Sequence, residues 1–481
     1  MRRTTVLAAA LLLGGSLSAT GPDTAGAGSA GRASAGRALP AGVARLAEPA
    51  AVTVTLPADP HRRLRLAVES LAARLGVALS AGPALTTADL PDAVAGRLAL
   101  LTEQASSCHL AAAPARAAVS SRTHPPVAAT RALRECAARL QSLAVETSVH
   151  LGAAPGAGGG GVDLWPVLRY SPGATDDRYL HDYVLIVDEG GDDTYLNNAA
   201  GNLLDLKRGP DGSPAPMKEP ARGCQKAGLA GIDFPEECVP AAAVLVDAAG
   251  DDTYGALEAP DPTGDGFCTD DPLVRRLFTG GAALAGVGIL LDGGGDDRYL
   301  GKTNALGAGH AAGVGILRDE AGNDSYLAFR SAQGYGLAGV GLLSDQGGDD
   351  TFGFYALGPS KPHAGYQRPG SGGVIDDRGT CDGLVRQLQG TGFVVGGYGL
   401  FLNHGGTDSY ASAPPATQQS DAFMFPHGSQ GFGGNGGFGY FLDEGGHDAY
   451  EGVPDRADDA VVQPDSESSG YFEDRASGTS R

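Results

Sequence analysis

Aspartates at fixed distances from an aromatic are the residues of this chain best placed to do chemistry. Seven segments align on Tyr195, Tyr254, Tyr299, Tyr326, Phe352, Tyr410 and Tyr450. Two positions before the aromatic the residue is always Asp: Asp193, Asp252, Asp297, Asp324, Asp350, Asp408 and Asp448. Four before, it is always Gly. Seven before stand Asp188, Asp247, Asp292, Asp319, Asp345, Asn403 and Asp443. Nine before is a large apolar residue, from Ile186 to Phe441. A partial third row, three before the aromatic, reads Asp192, Asp251, Asp296, Asn323, Asp349, Thr407 and His447. Asp177 and Tyr179 look like a degenerate eighth copy.

Stacked copies of such a motif would bring like charges together. Neighbouring strands lie ~4.8 Å apart, and two carboxylates at that spacing repel by ~3.5 kcal/mol at an effective dielectric of ~20. Few basic residues lie within the motif, so a hard cation is the simplest compensation. Carboxylates with turn carbonyls are calcium ligands. The thirteen Asp of the rows two and seven before the aromatic, from Asp188 to Asp448, are therefore the candidate ligands. The competing reading is a metal-free ladder in which each Asp closes an Asx-turn in a Gly-rich loop.

The consensus, Val-Gly-Val-Leu-x-Asp-x-Gly-Gly-Asp-Asp-x-Tyr, predicts the elements that carry these residues. Its apolar half alternates as a short strand does. Gly-Gly-Asp-Asp is turn chemistry, and the aromatic opens another strand. Successive aromatics are 59, 45, 27, 26, 58 and 40 residues apart. The basic period is thus 26–27 residues, with four insertions after the aromatic. One strand–turn–strand corner per tandem copy predicts a mainly β chain whose body, residues 163–450, is a β-solenoid of about seven coils. A β-propeller is the alternative, although a four-stranded blade needs about 40 residues. Stacked insertions would leave from one side, where a binding surface is built.

Gly191-Asp192-Asp193-Thr194-Tyr195 and Gly322-Asn323-Asp324-Ser325-Tyr326 resemble the Gly-x-Asp-x-hydrophobic part of RTX calcium-binding β-roll repeats. The resemblance covers five residues per copy, and it implies Ca²⁺ held between coils by the Asp two before and the Gly carbonyl four before each aromatic. This chain departs from it in carrying Asp-x where RTX repeats begin Gly-Gly. It also has one turn per 26–27 residues, whereas RTX nonapeptides run consecutively.

The rest of the chain is different material. Residues 1–160 carry 15 Lys and Arg against 9 Asp and Glu, and residues 161–481 carry 20 against 47. A net charge of −21 argues against nucleic acid. Residues 1–19 read as a signal peptide, basic then apolar then small, which is too short to span a bilayer. No later stretch is apolar enough to do so. Residues 20–42 read as a linker, 43–153 as an Ala-rich helical module, 154–162 as a Gly-rich linker and 451–481 as an acidic mobile tail. In the module, helices are expected around 61–71, after a cap at Thr87 or Asp89, and over Val127–Leu151. Six cysteines in an exported chain suggest disulfides: Cys108–Cys136, Cys224–Cys238 and Cys268–Cys381.

Other motifs carry less. Gly334 to Gly339 matches GxGxxG outside any βαβ setting, so the repeat explains its glycines. Gln333, Gln389 and Gln430 recur before the apolar strand and suggest a stacked amide ladder. His404 and His447 fall on turn positions, and no GxSxG or HExxH accompanies them. The expected function is a secreted, extracellular, calcium-stabilised scaffold presenting loops to a glycan or cell-surface protein. Enzymatic activity is left open, the alternative being a polysaccharide lyase or hydrolase on a parallel β-helix.

Overall fold

The computed structural model describes residues 41–80, 89–153 (without 122 and 124), 160–206, 242–255, 278–301, 304–328, 332–354, 397–411, 437–451 and 470–475. Short pieces within 208–240, 374–393 and 430–434, together with 461–462, are also described. The signal peptide, almost all of the first linker, residues 154–159, Cys224 and Cys268 fall outside this set, as do the side chains of Cys238 and Cys381.

Among the described residues the N-terminal region forms five helices: α1 (Ala41–Ala47), α2 (Pro60–Leu75), α3 (Asp92–Ala111), α4 (Ala113–Ser120) and α5 (Val127–Gly152). Asp59 caps α2, its Oδ1 accepting the Arg62 N–H at 3.1 Å. That bond satisfies one of the donors a helix start leaves open. The helix ends at Gly76 in the left-handed region. Leu64, Val68 and Leu71 form the buried stripe of α2, which packs on α3. The expected cap of α3 is not there: Pro91 occupies the cap position without a side-chain bond, and Thr87 lies outside the described residues. A Cys108–Cys136 disulfide joins α3 to α5, with Cα atoms 5.5 Å apart.

Among the described residues three sheets of five or more strands follow, beside two small antiparallel pairs, Leu203–Asp205 with Cys238–Pro240 and Val374–Ile375 with Cys381–Asp382. The first contains Leu168–Ser171, Leu185–Asp188, Ala242–Val246, Val287–Leu291, Val314–Arg318, Val340–Asp345, Tyr398–Asn403, Phe438–Glu444 and Tyr471–Arg475, all parallel and in chain order. A short antiparallel strand flanks it at each end, Val162–Leu164 and Val461–Val462. The second sheet runs from Arg178–Tyr179 to Ala449–Glu451 with one strand per copy. The third runs from Ala283–Leu284 to Gly433–Gly434. Register is copy on copy: Leu290 pairs with Leu245 and Leu317, and Tyr299 with Tyr254 and Tyr326. Parallel pairing between copies departs from the propeller alternative, whose blades are separate antiparallel sheets. Each insertion runs between a second-sheet strand and the next first-sheet strand, as the spacing implied.

Period-two alternation sorts the first-sheet residues. A Cβ on Gly288 would meet the carbonyls of Ala282 and Gly281, beside the third sheet, so position 288 faces inward. Leu290 and Asp292 share that face. Val287, Ile289 and Leu291 point the other way and are still fully buried, because α5 lies across Ala242–Val246, Val287–Leu291 and Val314–Arg318. α1 reaches the next strands, Val340–Asp345 and Tyr398–Asn403. Helices and sheets therefore share one hydrophobic core, where the sequence suggested two modules on a flexible joint. The expected mobile tail is also corrected in part. Tyr471–Arg475 adds a further parallel strand, with Phe472 opposite Phe441 and Asp474 opposite Asp443.

Candidate metal centres in a buried aspartate–tyrosine column

The aromatic of each copy stacks on the next. Ring centroids from Tyr179 through Tyr195, Tyr254, Tyr299, Tyr326, Phe352 and Tyr410 to Tyr450 are 4.5–5.1 Å apart, and the stacked ring planes are nearly parallel. Parallel strand spacing forces this contact once the register is fixed. The hydroxyl of each Tyr then points to the carboxylate of the following copy. Tyr195 donates to Asp247 Oδ2 at 2.5 Å and Tyr326 to Asp345 Oδ2 at 2.7 Å. Tyr179, Tyr254 and Tyr299 donate in the same way to Asp188, Asp292 and Asp319, and Tyr450 donates to Asp474 at 2.9 Å. The second oxygen of the same Asp closes the Gly-rich turn by accepting an N–H two residues on. Gly190, Gly294 and Gly347 donate to Asp188, Asp292 and Asp345.

The row two before the aromatic is bonded differently. Each Oδ1 accepts the backbone N–H of its counterpart in the preceding copy. Asp193 donates to Asp252, Asp252 to Asp297, Asp297 to Asp324, Asp324 to Asp350, Asp350 to Asp408 and Asp408 to Asp448, at 2.5–2.8 Å. The exposed row three before the aromatic runs in the opposite sense. Asp251 N–H donates to Asp192, Asp296 to Asp251, Asn323 to Asp296, Asp349 to Asn323 and Thr407 to Asp349. Backbone donors thus offset much of the repulsion expected from stacked carboxylates, and the exposed row is an Asx ladder between copies.

One oxygen remains. Asp193, Asp297 and Asp350 are at most 2% exposed, yet their Oδ2 atoms have no hydrogen-bond donor. Burial first, and then the Asp five residues earlier in the same copy, push Asp193 to about 9, Asp297 to about 10 and Asp350 to about 9. Burial likewise holds Asp247 and Asp319 well above the carboxylate range, with facing carboxylates as the next cause. A carboxylate pair in low dielectric needs a proton or a cation between its oxygens.

The structure gathers the candidate ligands accordingly. Five groups of buried or half-buried Asp place one oxygen each within 4.8 Å of the others and could hold a metal ion: Asp188, Asp193 and Asp247; Asp252, Asp292 and Asp297; Asp297, Asp319 and Asp324; Asp324, Asp345 and Asp350; Asp408, Asp443 and Asp448. All thirteen candidates from the sequence fall into these groups. Their donor set is oxygen alone, which suits a hard cation. The sequence reading missed the tyrosine hydroxyls, which saturate one oxygen of the row seven before the aromatic. It also missed a paired exception. Phe352, the one aligned aromatic without a hydroxyl, is followed by the one copy with Asn403 in place of Asp, and both were visible in the alignment.

The remaining motif residues have local partners. His404 Nδ1 lies 2.9 Å from Glu444 Oε2. His310 is buried between Phe278 and Tyr335, and desolvation lowers it to about 3. Gln333 Nε2 donates to the carbonyls of Tyr326 and Gly353, so its amide holds backbone. Gln389 lies outside the described residues. Among those residues no helix is long and apolar enough to cross a membrane. Comparison with family models, curated proteins and solved structures finds no match to this chain.

Proposed function

We propose that this chain is an exported, non-enzymatic repeat scaffold whose β-solenoid body presents its loop insertions to an extracellular glycan or cell-surface protein. The burial of the motif carboxylates carries the reading. The Asp two and seven before the aromatic, buried in every copy but the last, cannot reach a polymeric substrate, so they act inside the body, and binding is assigned to the insertions. The Cys108–Cys136 disulfide and the basic-then-apolar segment 1–19 support export to an oxidising compartment. Incubation with a panel of extracellular polysaccharides tests it. Co-sedimentation without release of reducing ends or unsaturated products is expected. Turnover abolished by Asp substitutions in the motif would favour the lyase or hydrolase.

Calcium is the proposed occupant of the buried groups. The orphaned Oδ2 atoms of Asp193, Asp297 and Asp350 support it, as does the all-oxygen donor set. Ca²⁺ tolerates irregular oxygen shells better than Mg²⁺ does. Occupied sites would stabilise the folded state by RT ln(1 + [L]/Kd), about 2.7 kcal/mol per site at a hundredfold excess. The melting temperature is expected to rise in millimolar Ca²⁺ over EDTA, and less in Mg²⁺. Asp324→Asn with Asp350→Asn should diminish that rise. Identical melting in Ca²⁺ and EDTA would remove calcium from the proposal.

A further inference from the structure

The copy containing Asn403 differs from its neighbours in one respect. Its Nδ2 donates to Asp408 Oδ2 at 2.9 Å and to the Tyr410 hydroxyl at 2.8 Å. Asp408 occupies the place that Asp193, Asp297 and Asp350 occupy in other copies, where Oδ2 has no donor. The chain thus contains its own control: one copy supplies, through a neutral amide, the donor that Asp193, Asp297 and Asp350 lack, while Asp252 and Asp324 have only the hydroxyls of Tyr254 and Tyr326 at 3.1 and 3.5 Å. The same copy is preceded by Phe352, which offers no hydroxyl to the residue stacked beyond it. Asn403 carries no carboxylate, so between Asp350 and Asp408 the row seven before the aromatic supplies no acidic oxygen. The buried column is interrupted there, with four groups before it and one after.

Resting on the calcium reading above, we infer that the Asn403 amide replaces a cation at this junction, so that Ca²⁺ fills the column as two separate runs. Phe352 and Asn403 are then a single compensated exchange. Loss of the hydroxyl and loss of the carboxylate together remove the need for an ion, whereas loss of the hydroxyl alone would leave a buried carboxylate oxygen without its donor.

Calorimetric titration of the metal-free full chain with CaCl₂ tests this. The variant F352Y/N403D restores the Tyr–Asp pair and is expected to take up one ion more than the natural chain. A reciprocal variant, Y299F/D319N, transplants the junction into another copy and is expected to take up one ion fewer. It copies a pairing the fold already accepts, so it keeps the inference testable if the first variant does not fold. Calcium uptake that is the same in the natural chain and in the folded variants would overturn the inference and leave the calcium reading standing. No uptake by any of the three would overturn both.

Discussion

A buried carboxylate whose second oxygen faces another carboxylate makes folding depend on pH. Asp193, Asp252, Asp297, Asp350 and Asp443 are raised to about 9 or 10, first by burial, and Asp324 and Asp408 to about 7. The unfolded value is near 3.9. The folded chain therefore binds more protons between these limits. Without metal, its stability is fully present below about pH 4 and falls as pH rises through the folded values. Each excess proton contributes roughly 1.4 kcal/mol per pH unit. Melting in EDTA between pH 5 and pH 9 should show the fall, and calcium should reduce it because the ion competes with those protons. A melting temperature that rises with pH in EDTA would contradict the proton-sharing arrangement. The hydroxyls make a second expectation at this scale. Tyr299→Phe leaves Asp319 Oδ2 without its donor and should cost ~1–3 kcal/mol in denaturant unfolding. Phe352→Tyr should be neutral or stabilising, since Asn403 Oδ1 is buried without a donor.

Turns and strands position that column, and glycine sets how closely the copies approach. A Cβ at Gly348 would lie 1.4 Å from the Gly322 carbonyl, on a backbone at φ +152°. Gly348→Ala is therefore expected to destabilise by more than ~2 kcal/mol, because left-handed strain of ~1–2 kcal/mol adds to the collision. Urea melts of the substituted chain would measure it. In the helices, removing the Cys108–Cys136 bond, which closes a 28-residue separation, should cost roughly 3–4 kcal/mol on the chain-entropy argument. These elements differ in how far the sequence revealed them. The seven aligned copies foretold parallel stacking, because only identical neighbours explain an invariant Gly and Asp. The pairing of Tyr with the next copy's Asp was hidden, since it links residues 9 to 52 positions apart. Only the Phe352–Asn403 exception marked it. Cys108–Cys136 could be inferred from local spacing, whereas α1 and α4 were too short for their periodicity to stand out in an Ala-rich stretch.

At the scale of the whole molecule, the composition break near residue 160 suggested independent parts, yet the outward row Val287, Ile289 and Leu291 is fully buried. Pattern alone cannot reveal such a contact. A strand buried on both faces reads as a continuous apolar run, and nothing local says whether the second cover is a sheet or a helix. Here α5 provides the cover. Burying a Val, Leu or Ile side chain stabilises by ~1.5–3 kcal/mol, and a row of them repeated over several copies couples the helices to the sheets more strongly than a marginal domain could resist. The helical signal at 222 nm and the near-ultraviolet signal of the stacked tyrosines should therefore melt in one coincident transition. Ile289→Asp would place an unpaired charge under α5 and should destabilise both signals together. Two separated transitions, with the helical signal persisting after the tyrosine signal is lost, would mean that the apolar row does not bind the two halves into one cooperative unit.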